Sequence, residues 1–260
     1  MAYTDIDKPS DYFNTKLYTG NGSDGNAQTG VGFQPDWLWI KERSTANSHR
    51  LYDSIRGVNA ALISNNTNAE NQYSAYGQLE SFDSDGFTVG AGTTNGAGTN
   101  ANSATIVAWN WKAGGSASSN SNGTITSSVS ANTDAGFSIV SYTGNGSAGA
   151  TIGHGLGVTP KMFIVKSRSL AQDFTVYNEY IGNTNGLFLN NTDASTGDSS
   201  YFNNTSPTSS VFTVGTNARG NTNGATYIAY CFNDVQGYSK FGNYTGNGNA
   251  DGTFVYTGFK

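Results

Sequence analysis

The stretch GVGFQPDWLWIKERS at residues 30–44 is matched in the second half of the chain by GLGVTPKMFIVKSRS at residues 155–169. Lys41 and Lys166 hold the same place in the two stretches, which sets the offset at 125 residues. Further pairs at this offset are Arg43 and Arg168, Tyr52 and Tyr177, ALISNNT (61–67) and GLFLNNT (186–192), and FTVG (87–90) and FTVG (212–215). Matches that keep one order and one offset indicate an internal duplication.

Each copy has the pattern of β-strands. In DWLWIK, Trp37 and Trp39 fall on one face of a strand and Leu38 on the other, because side chains alternate along a strand. FDSDGFTVG (82–90) places an Asp-Gly turn between two apolar segments, which is a strong hairpin signal. No segment shows the sustained apolar period of a helix. The sequence therefore predicts an all-β fold of tandem β-sandwich repeats.

The repeats divide the chain into five predicted parts. These are an N-terminal arm (1–16), β-sandwich repeat 1 (17–114), a Ser/Gly/Asn-rich linker (115–135), β-sandwich repeat 2 (136–236) and the start of an incomplete third repeat (237–260). The third part is almost free of apolar side chains, which is typical of a flexible linker. The alternative is an extended arm that docks on a neighbouring chain through Ile125 and Val129. The incomplete third repeat leads us to expect that the native chain continues beyond Lys260.

Aromatic residues make up 13% of the chain and charged residues only 12%. Such rings supply much of the buried area in small β domains. We therefore predict that a set of alternating strand aromatics fills the sandwich cores: Trp37, Trp39, Trp109, Trp111, Phe163, Tyr230 and Phe232.

The net charge of −5 leaves no basic patch for a phosphate backbone, so we expect no nucleic-acid partner. The single cysteine, Cys231, excludes an intrachain disulfide and is predicted to be a buried, inert thiol. The N-terminus lacks the apolar region of a signal peptide, and no stretch is apolar enough for membrane insertion. A polar, surface-type composition without an export signal indicates a virion component that is assembled in the host cytoplasm.

Several motifs together resemble a known group of proteins. They include MAYTDIDKPSDYFNTKLYTGNG (1–22), HRLYDSIRG (49–57), VAWNWKAGG (107–115) and YIAYCFNDVQGYSKFGNYTGNGNADGTFVYTGFK (227–260). In content and order they are similar to repeat-containing virion structural proteins of marine phages, particularly cyanophages. The resemblance implies a place on the virion surface, as tail fibre, head fibre or capsid decoration. It also implies a lectin-like sandwich of jelly-roll or concanavalin A-like type, and it supplies no catalytic motif.

Chemical motifs are weak throughout. His154 corresponds to Thr29 in the first copy, which favours a surface or turn residue over a catalytic one. The carboxylates that a glycoside hydrolase could use are Glu42, Asp53, Glu70, Glu80, Asp83 and Asp85. Asp83 and Asp85 are better explained as turn-forming residues, and Asp53 as an ion-pair partner of Arg50 or Arg56. The sequence therefore predicts no catalytic, metal or cofactor site.

Four tyrosines in polar, loop-like segments are the predicted glycan contacts: Tyr73, Tyr76, Tyr180 and Tyr201. Flat rings stack on the apolar faces of sugars, although packing within loops or between subunits is the favoured explanation of such tyrosines. The main functional expectation is a non-enzymatic virion structural protein that contacts copies of itself and other virion proteins. The alternatives are an adhesin that binds a host surface glycan and, third, a polysaccharide-degrading tail spike.

Overall fold

The computed structural model describes residues 4–258, which form antiparallel β-sheets joined by loops. Helical structure in this range is confined to single turns at Pro9–Asp11 and Ser74–Tyr76 and to the short helix α1 (Ser199–Phe202). None of these helices is long and apolar enough to cross a membrane. The prediction of an all-β fold is confirmed.

The first half of the described chain forms two sheets. Its strands are β1 (Phe13–Thr19), β2 (Asn26–Thr29), β3 (Trp37–Glu42), β4 (Arg50–Asp53), β5 (Leu62–Ile63), β6 (Gln78–Asp83), β7 (Gly86–Gly90) and β8 (Thr105–Trp111). Sheet A has the order β1-β8-β3-β4-β5, and sheet B has the order β2-β7-β6. β1 begins inside the segment predicted as an N-terminal arm, so the arm is shorter than expected.

The second half also forms two sheets. Its strands are β9 (Ser118–Asn120), β10 (Ser127–Asn132), β11 (Phe137–Thr143), β12 (Ala150–Gly153), β13 (Met162–Ser167), β14 (Thr175–Asn178), β15 (Asn185–Phe188), β16 (Thr196–Gly197), β17 (Val211–Val214) and β18 (Thr226–Phe232). Sheet C has the order β16-β15-β14-β13-β18-β11-β10-β9, and sheet D pairs β12 with β17.

Sheets A and C share a strand order. The run β1-β8-β3-β4-β5 in sheet A has the same sequence order as β11-β18-β13-β14-β15 in sheet C. The register agrees as well, because Phe13 lies opposite Trp111 in the first half and Phe137 lies opposite Phe232 in the second. The sequence matches between the halves therefore fall on strands with equivalent places in two sheets.

Residues 115–135 do not form a flexible linker, so that prediction is wrong. They contain β9 and β10, which extend sheet C beyond β11. Ile125 and Val129 are 7% and 5% exposed and pack in a core of the second half, rather than on a neighbouring chain. The polar composition is misleading because a serine can be buried in a strand when its hydroxyl forms a hydrogen bond. The Ser127 hydroxyl, for example, donates to the Gly153 carbonyl at 2.8 Å.

Three apolar layers lie between the sheets. Leu38 and Ile40 of β3 face Phe87 and Val89 of sheet B. An equivalent layer between sheets C and D contains Phe163 and Val165. The third layer, which we call the central layer, lies between sheets A and C and is built from the opposite faces of their strands. Its buried members are Trp37, Leu51, Leu62, Ala113, Ala135, Phe137, Ile139, Ile164, Phe174, Val176, Ile228 and Tyr230.

The central layer changes the interpretation of the predicted core aromatics. Phe163 alone among them belongs to a core inside one half, whereas Trp37 and Tyr230 are buried between the halves. Trp39, Trp111 and Phe232 are partly buried against the central layer. Trp109 is also partly exposed and touches Trp39 edge-on, with 6.4 Å between ring centroids. Strand alternation was correctly predicted, but the tryptophan face points away from the sandwich core of its own half.

The described chain after β18, residues 233–258, contains no β-strand, apart from an isolated bridge between Val235 and Ser239. Tyr244, Phe254 and Tyr256 are 70%, 86% and 80% exposed. The third repeat predicted over 237–260 therefore stays a prediction, and its last two residues, like Met1–Tyr3 of the predicted arm, lie outside the described residues.

Candidate functional site

Two of the four predicted glycan tyrosines, Tyr73 and Tyr76, lie together at a surface pocket of about 250 Å³. We call it the Arg50 pocket. The residues that line it are Asn47, Ser48, Arg50, Ile63, Asn66, Asn68, Tyr73, Tyr76, Ala97 and Gly98. Aromatic rings beside several amide side chains are suited to binding a polar ligand with a flat apolar face.

The strands of sheet A place Arg50 at the base of this pocket. Arg50 begins β4, between Ile40 of β3 and Ile63 of β5. The helical turn Ser74–Tyr76 follows Tyr73, whose φ of 49° is a left-handed conformation that is costly for a tyrosine. Gly98 has a φ of 89°, and a Cβ there would stand 2.7 Å from the Arg50 Nε, so glycine lets the loop approach the guanidinium.

The Arg50 guanidinium is buried with little hydrogen bonding. The residue is 7% exposed, and its Nη2 donates to the carbonyls of Tyr76 and Ala97, both at 3.3 Å. Its Cζ lies 4.9 Å from the centroid of the Tyr73 ring. Nε and Nη1 have no partner with good hydrogen-bond geometry, and the same holds for the neighbouring Tyr52 hydroxyl, which lies close enough to the guanidinium for a weak contact. Burial raises the pKa of Tyr52, and the positive charge of Arg50 opposes that rise.

No carboxylate of the described chain forms an ion pair with Arg50. Glu42 is buried nearby and accepts from the Asn47 amide at 2.6 Å and from the Gly98 N–H at 3.3 Å. Burial pushes the pKa of Glu42 upward, but its hydrogen bonds hold that pKa below the usual value. Glu42 is therefore ionised and bonded to the pocket wall.

The other two predicted glycan tyrosines lie elsewhere. Tyr180 is 46% exposed but does not line the Arg50 pocket. Tyr201 is 8% exposed and packs in the core between sheets C and D, so the prediction of a surface contact is wrong. Its position in α1 turns the ring inward against Phe188, with 5.8 Å between centroids.

Each carboxylate considered for hydrolysis has a hydrogen-bond donor from the chain itself. Asp83 accepts from the Thr88 hydroxyl across the β6–β7 hairpin, as its predicted turn role requires. Asp85 accepts instead from the N–H groups of Gly30 and Gly32, in a distant segment, so its side chain does not fold the turn as predicted. Glu80 accepts from the Gly25 N–H. Asp53 pairs with Arg56 rather than Arg50, and Glu70 pairs with Arg56 and Arg168.

Asp53 and Glu70 are also part of a polar network that joins the two halves. The Tyr230 hydroxyl donates to Asp53 at 2.7 Å, and Arg56 donates to the Tyr230 oxygen at 3.2 Å. Arg168 donates to both oxygens of Glu70, at 2.8 and 2.9 Å. Burial in this network raises the pKa of Tyr230 well above its usual value. At neutral pH the Tyr230 hydroxyl is therefore protonated and serves as a structural hydrogen-bond donor to Asp53.

His154 is fully buried rather than at the surface, contrary to the sequence prediction. The Leu156 N–H donates to its Nδ1 at 3.2 Å, and its Nε2 lies 3.1 Å from the Thr208 carbonyl. Burial lowers the pKa of His154 and raises the pKa of buried Cys231 to about 12. Within residues 4–258, no group of three or more His, Cys, Asp and Glu side chains could hold a metal ion.

A second concavity, of about 330 Å³, opens at one side of the central layer. Its wall is mostly aromatic and aliphatic and includes Phe13, Trp39, Met162, Phe232 and Phe241. Without a charged or amide-rich wall it offers little to orient a polar ligand, so the Arg50 pocket is the better candidate site.

Sequence reasoning found the tyrosines of the pocket but treated Arg50 only as a possible partner of Asp53. A usable signal was present in the duplication: at the offset of 125 residues, Arg50 corresponds to Thr175. A charged residue on a buried strand whose counterpart is neutral indicates a feature particular to the first half.

The family described as "Domain of unknown function (DUF7483)" matches residues 8–260, and the chain belongs to this family. No curated protein and no solved structure matches the chain.

Proposed function

We propose that the chain is a non-enzymatic structural protein of a phage virion: a fibre, appendage or decoration component. It acts by rigid display of its loops and by contacts with copies of itself and with other virion proteins. The observation that carries the proposal is the central layer, which unites two equivalent sheets into one packed body.

The central layer supports rigidity through direct ring contacts between the halves. The Trp37 ring stacks on Tyr230 at a centroid distance of 4.4 Å and on Phe137 at 5.7 Å. Aromatic pairs contribute roughly 0.5–1.5 kcal/mol each beyond the area that they bury. A body held in this way keeps its loops in fixed relative positions, which suits display on a particle.

We also propose that each half is a sandwich of the jelly-roll or concanavalin A-like type, repeated in tandem. The pairing of sheet A with sheet B and of sheet C with sheet D, each around its own apolar layer, supports this assignment.

Labelling of purified particles tests the virion proposal. An antibody against the chain, bound to gold and viewed by electron microscopy, is expected to mark intact particles at symmetry-related surface positions. Mass spectrometry of the same particles is expected to recover the protein. Its recovery from the lysate of infected cells alone, with unlabelled particles, would contradict the proposal.

Carbohydrate recognition is the second candidate function, and the Arg50 pocket is the observation that favours it. Tyr76 is 50% exposed at the rim, where its ring is available for stacking on a sugar. Tyr76→Ala is expected to weaken glycan binding about two- to ten-fold, since one lost ring contact removes roughly 0.5–1.5 kcal/mol. Equal binding by wild type and variant on a glycan array would contradict this candidate.

A further inference from the structure

The two halves differ sharply at the position of Arg50. Arg50 lies opposite Ile40 in sheet A, and Thr175 lies opposite Val165 in sheet C. Since Ile40 and Val165 are themselves equivalent strand positions, Thr175 occupies the place of Arg50 in the second half.

The space beside Thr175 is closed and electrostatically balanced. It amounts to about 10 Å³ and is lined by Tyr201 and Arg219, among others. The Arg219 guanidinium stacks over aromatic rings, with its Cζ 5.0 Å from Phe188 and 6.0 Å from Tyr201. Its Nη2 pairs with the Asp173 carboxylate at 2.7 Å. In the second half, an arginine held over rings therefore has its own carboxylate.

The first half has the arginine and the ring, but its buried carboxylate, Glu42, bonds to Asn47 and Gly98 and forms no ion pair with Arg50. Arg50 is stacked over Tyr73, forms no ion pair within the described chain, and borders about 250 Å³ of open space. A buried charge without a counterion is destabilising, and its field is weakly screened in such surroundings. An anionic group in the pocket would supply what Asp173 supplies to Arg219.

We infer that the Arg50 pocket binds an acidic saccharide, a sugar that bears a carboxylate. The carboxylate is attracted by the charge of Arg50, the sugar ring packs on Tyr76 and Tyr73, and hydroxyl groups bond to Asn47, Asn66 and Asn68. This inference rests on the carbohydrate recognition proposed above and adds the charge of the ligand.

A glycan array with matched pairs tests the inference on the full-length protein. Each uronate-containing or sialylated oligosaccharide stands beside its carboxyl-reduced, neutral counterpart. We expect about five-fold tighter binding of the acidic member, because an interaction with a charged group is about twice as strong as the same contact between neutral groups. The preference is expected to shrink as the salt concentration rises.

Arg50→Gln removes the charge and keeps a hydrogen-bonding side chain. We expect it to abolish the preference for the acidic member while the melting temperature stays the same or rises, since a buried unpaired charge has been removed. Tyr244→Ala is the control for Tyr76→Ala: it removes a tyrosine that is 70% exposed and lies outside the pocket, and it is expected to bind as wild type. Should Arg50→Gln fail to fold, the acidic and neutral pairs on wild type still decide the question.

The outcomes separate the inference from the proposal beneath it. Equal binding of acidic and neutral members, with loss in Tyr76→Ala, overturns the acidic ligand and leaves carbohydrate recognition standing. Absence of binding to every saccharide overturns both. Retention of the acidic preference by Arg50→Gln overturns the role of Arg50.

Discussion

Trp37 shows how one side chain of the first half depends on the second. It is 2% exposed, and its ring contacts Trp111 from its own half and Tyr230 from the other, both at 4.4 Å between centroids. Its indole N–H is buried without a partner. Trp37 therefore stabilises the fold through packing alone, and the burial of its unpartnered N–H opposes that stabilisation.

Trp37→Ala is expected to lower the free energy of unfolding by about 3–5 kcal/mol, the usual loss for a buried tryptophan. Trp37→Phe keeps a ring and removes the unpaired N–H, so its loss is expected to be under about 2 kcal/mol. Urea denaturation of the three proteins measures both values. Equal losses in the two variants would contradict the packing role.

Lys166 is a second residue whose environment is set by both halves. It is fully buried, and its Nζ donates to the carbonyls of Gln172 at 2.8 Å and of Thr67, from the first half, at 3.1 Å. Burial lowers the pKa of Lys166 to about 8 from 10.5. The folded protein therefore holds this proton less tightly than the unfolded chain does.

Stability is expected to depend on this group between pH 8 and 10.5, the folded and unfolded pKa values. In that window the unfolded state binds more protons, so the free energy of unfolding rises with pH. The free energy of unfolding of wild type minus that of Lys166→Met is expected to increase by about 2 kcal/mol between pH 7 and 9.5. Taking the difference cancels the titration of tyrosines and Cys231. A difference that does not change with pH in urea denaturation would refute the shift.

At the scale of elements, the loop between β5 and β6 fastens one half to the other. Glu70 of this loop binds the Arg168 guanidinium through both oxygens, and its N–H donates to the Arg168 carbonyl at 2.8 Å. Arg168 follows β13 of sheet C. The loop therefore closes one side of the central layer with charge-assisted hydrogen bonds.

Glu70→Gln is expected to lower the free energy of unfolding by roughly 1–3 kcal/mol, because it leaves Arg56 and Arg168 without their shared carboxylate. Glu179→Gln is the matched control, since the Lys161–Glu179 pair is one third exposed on the lysine side and links no loop across the central layer. Its loss is expected to stay under about 1 kcal/mol. Similar losses in thermal melting would argue against a fastening role for the loop.

The elements also show what the sequence could predict. The β6–β7 hairpin and the alternation of β3 follow from an Asp-Gly turn and a period of two, both local properties. β9 and β10 were missed because they are stabilised by pairing: β10 pairs with β11, and β9 pairs with β10. A serine-rich segment has no local pattern that predicts such pairing. The place of Tyr201 was missed for a similar reason: its burial depends on Phe188 of β15 rather than on its own segment.

For the whole molecule, the equivalence of sheets A and C was predictable, but their contact was not. The duplication placed matching strands in one order, and the structure gives the two sheets that same order. The sequence alone could not decide which face of β3 met which layer, because Trp37 and Leu38 are both apolar. The faces that two separate sandwiches would expose to water instead form the central layer.

The central claim is that the two halves form one body through this layer. Amide hydrogen exchange, followed by mass spectrometry on wild type and Trp37→Ala, tests it most directly. We predict that the substitution, made in β3, speeds exchange in β11 and β18 of the other half, because both strands pack on the Trp37 ring through Phe137 and Tyr230. Faster exchange limited to the first half, with β11 and β18 as protected as in wild type, would contradict the claim.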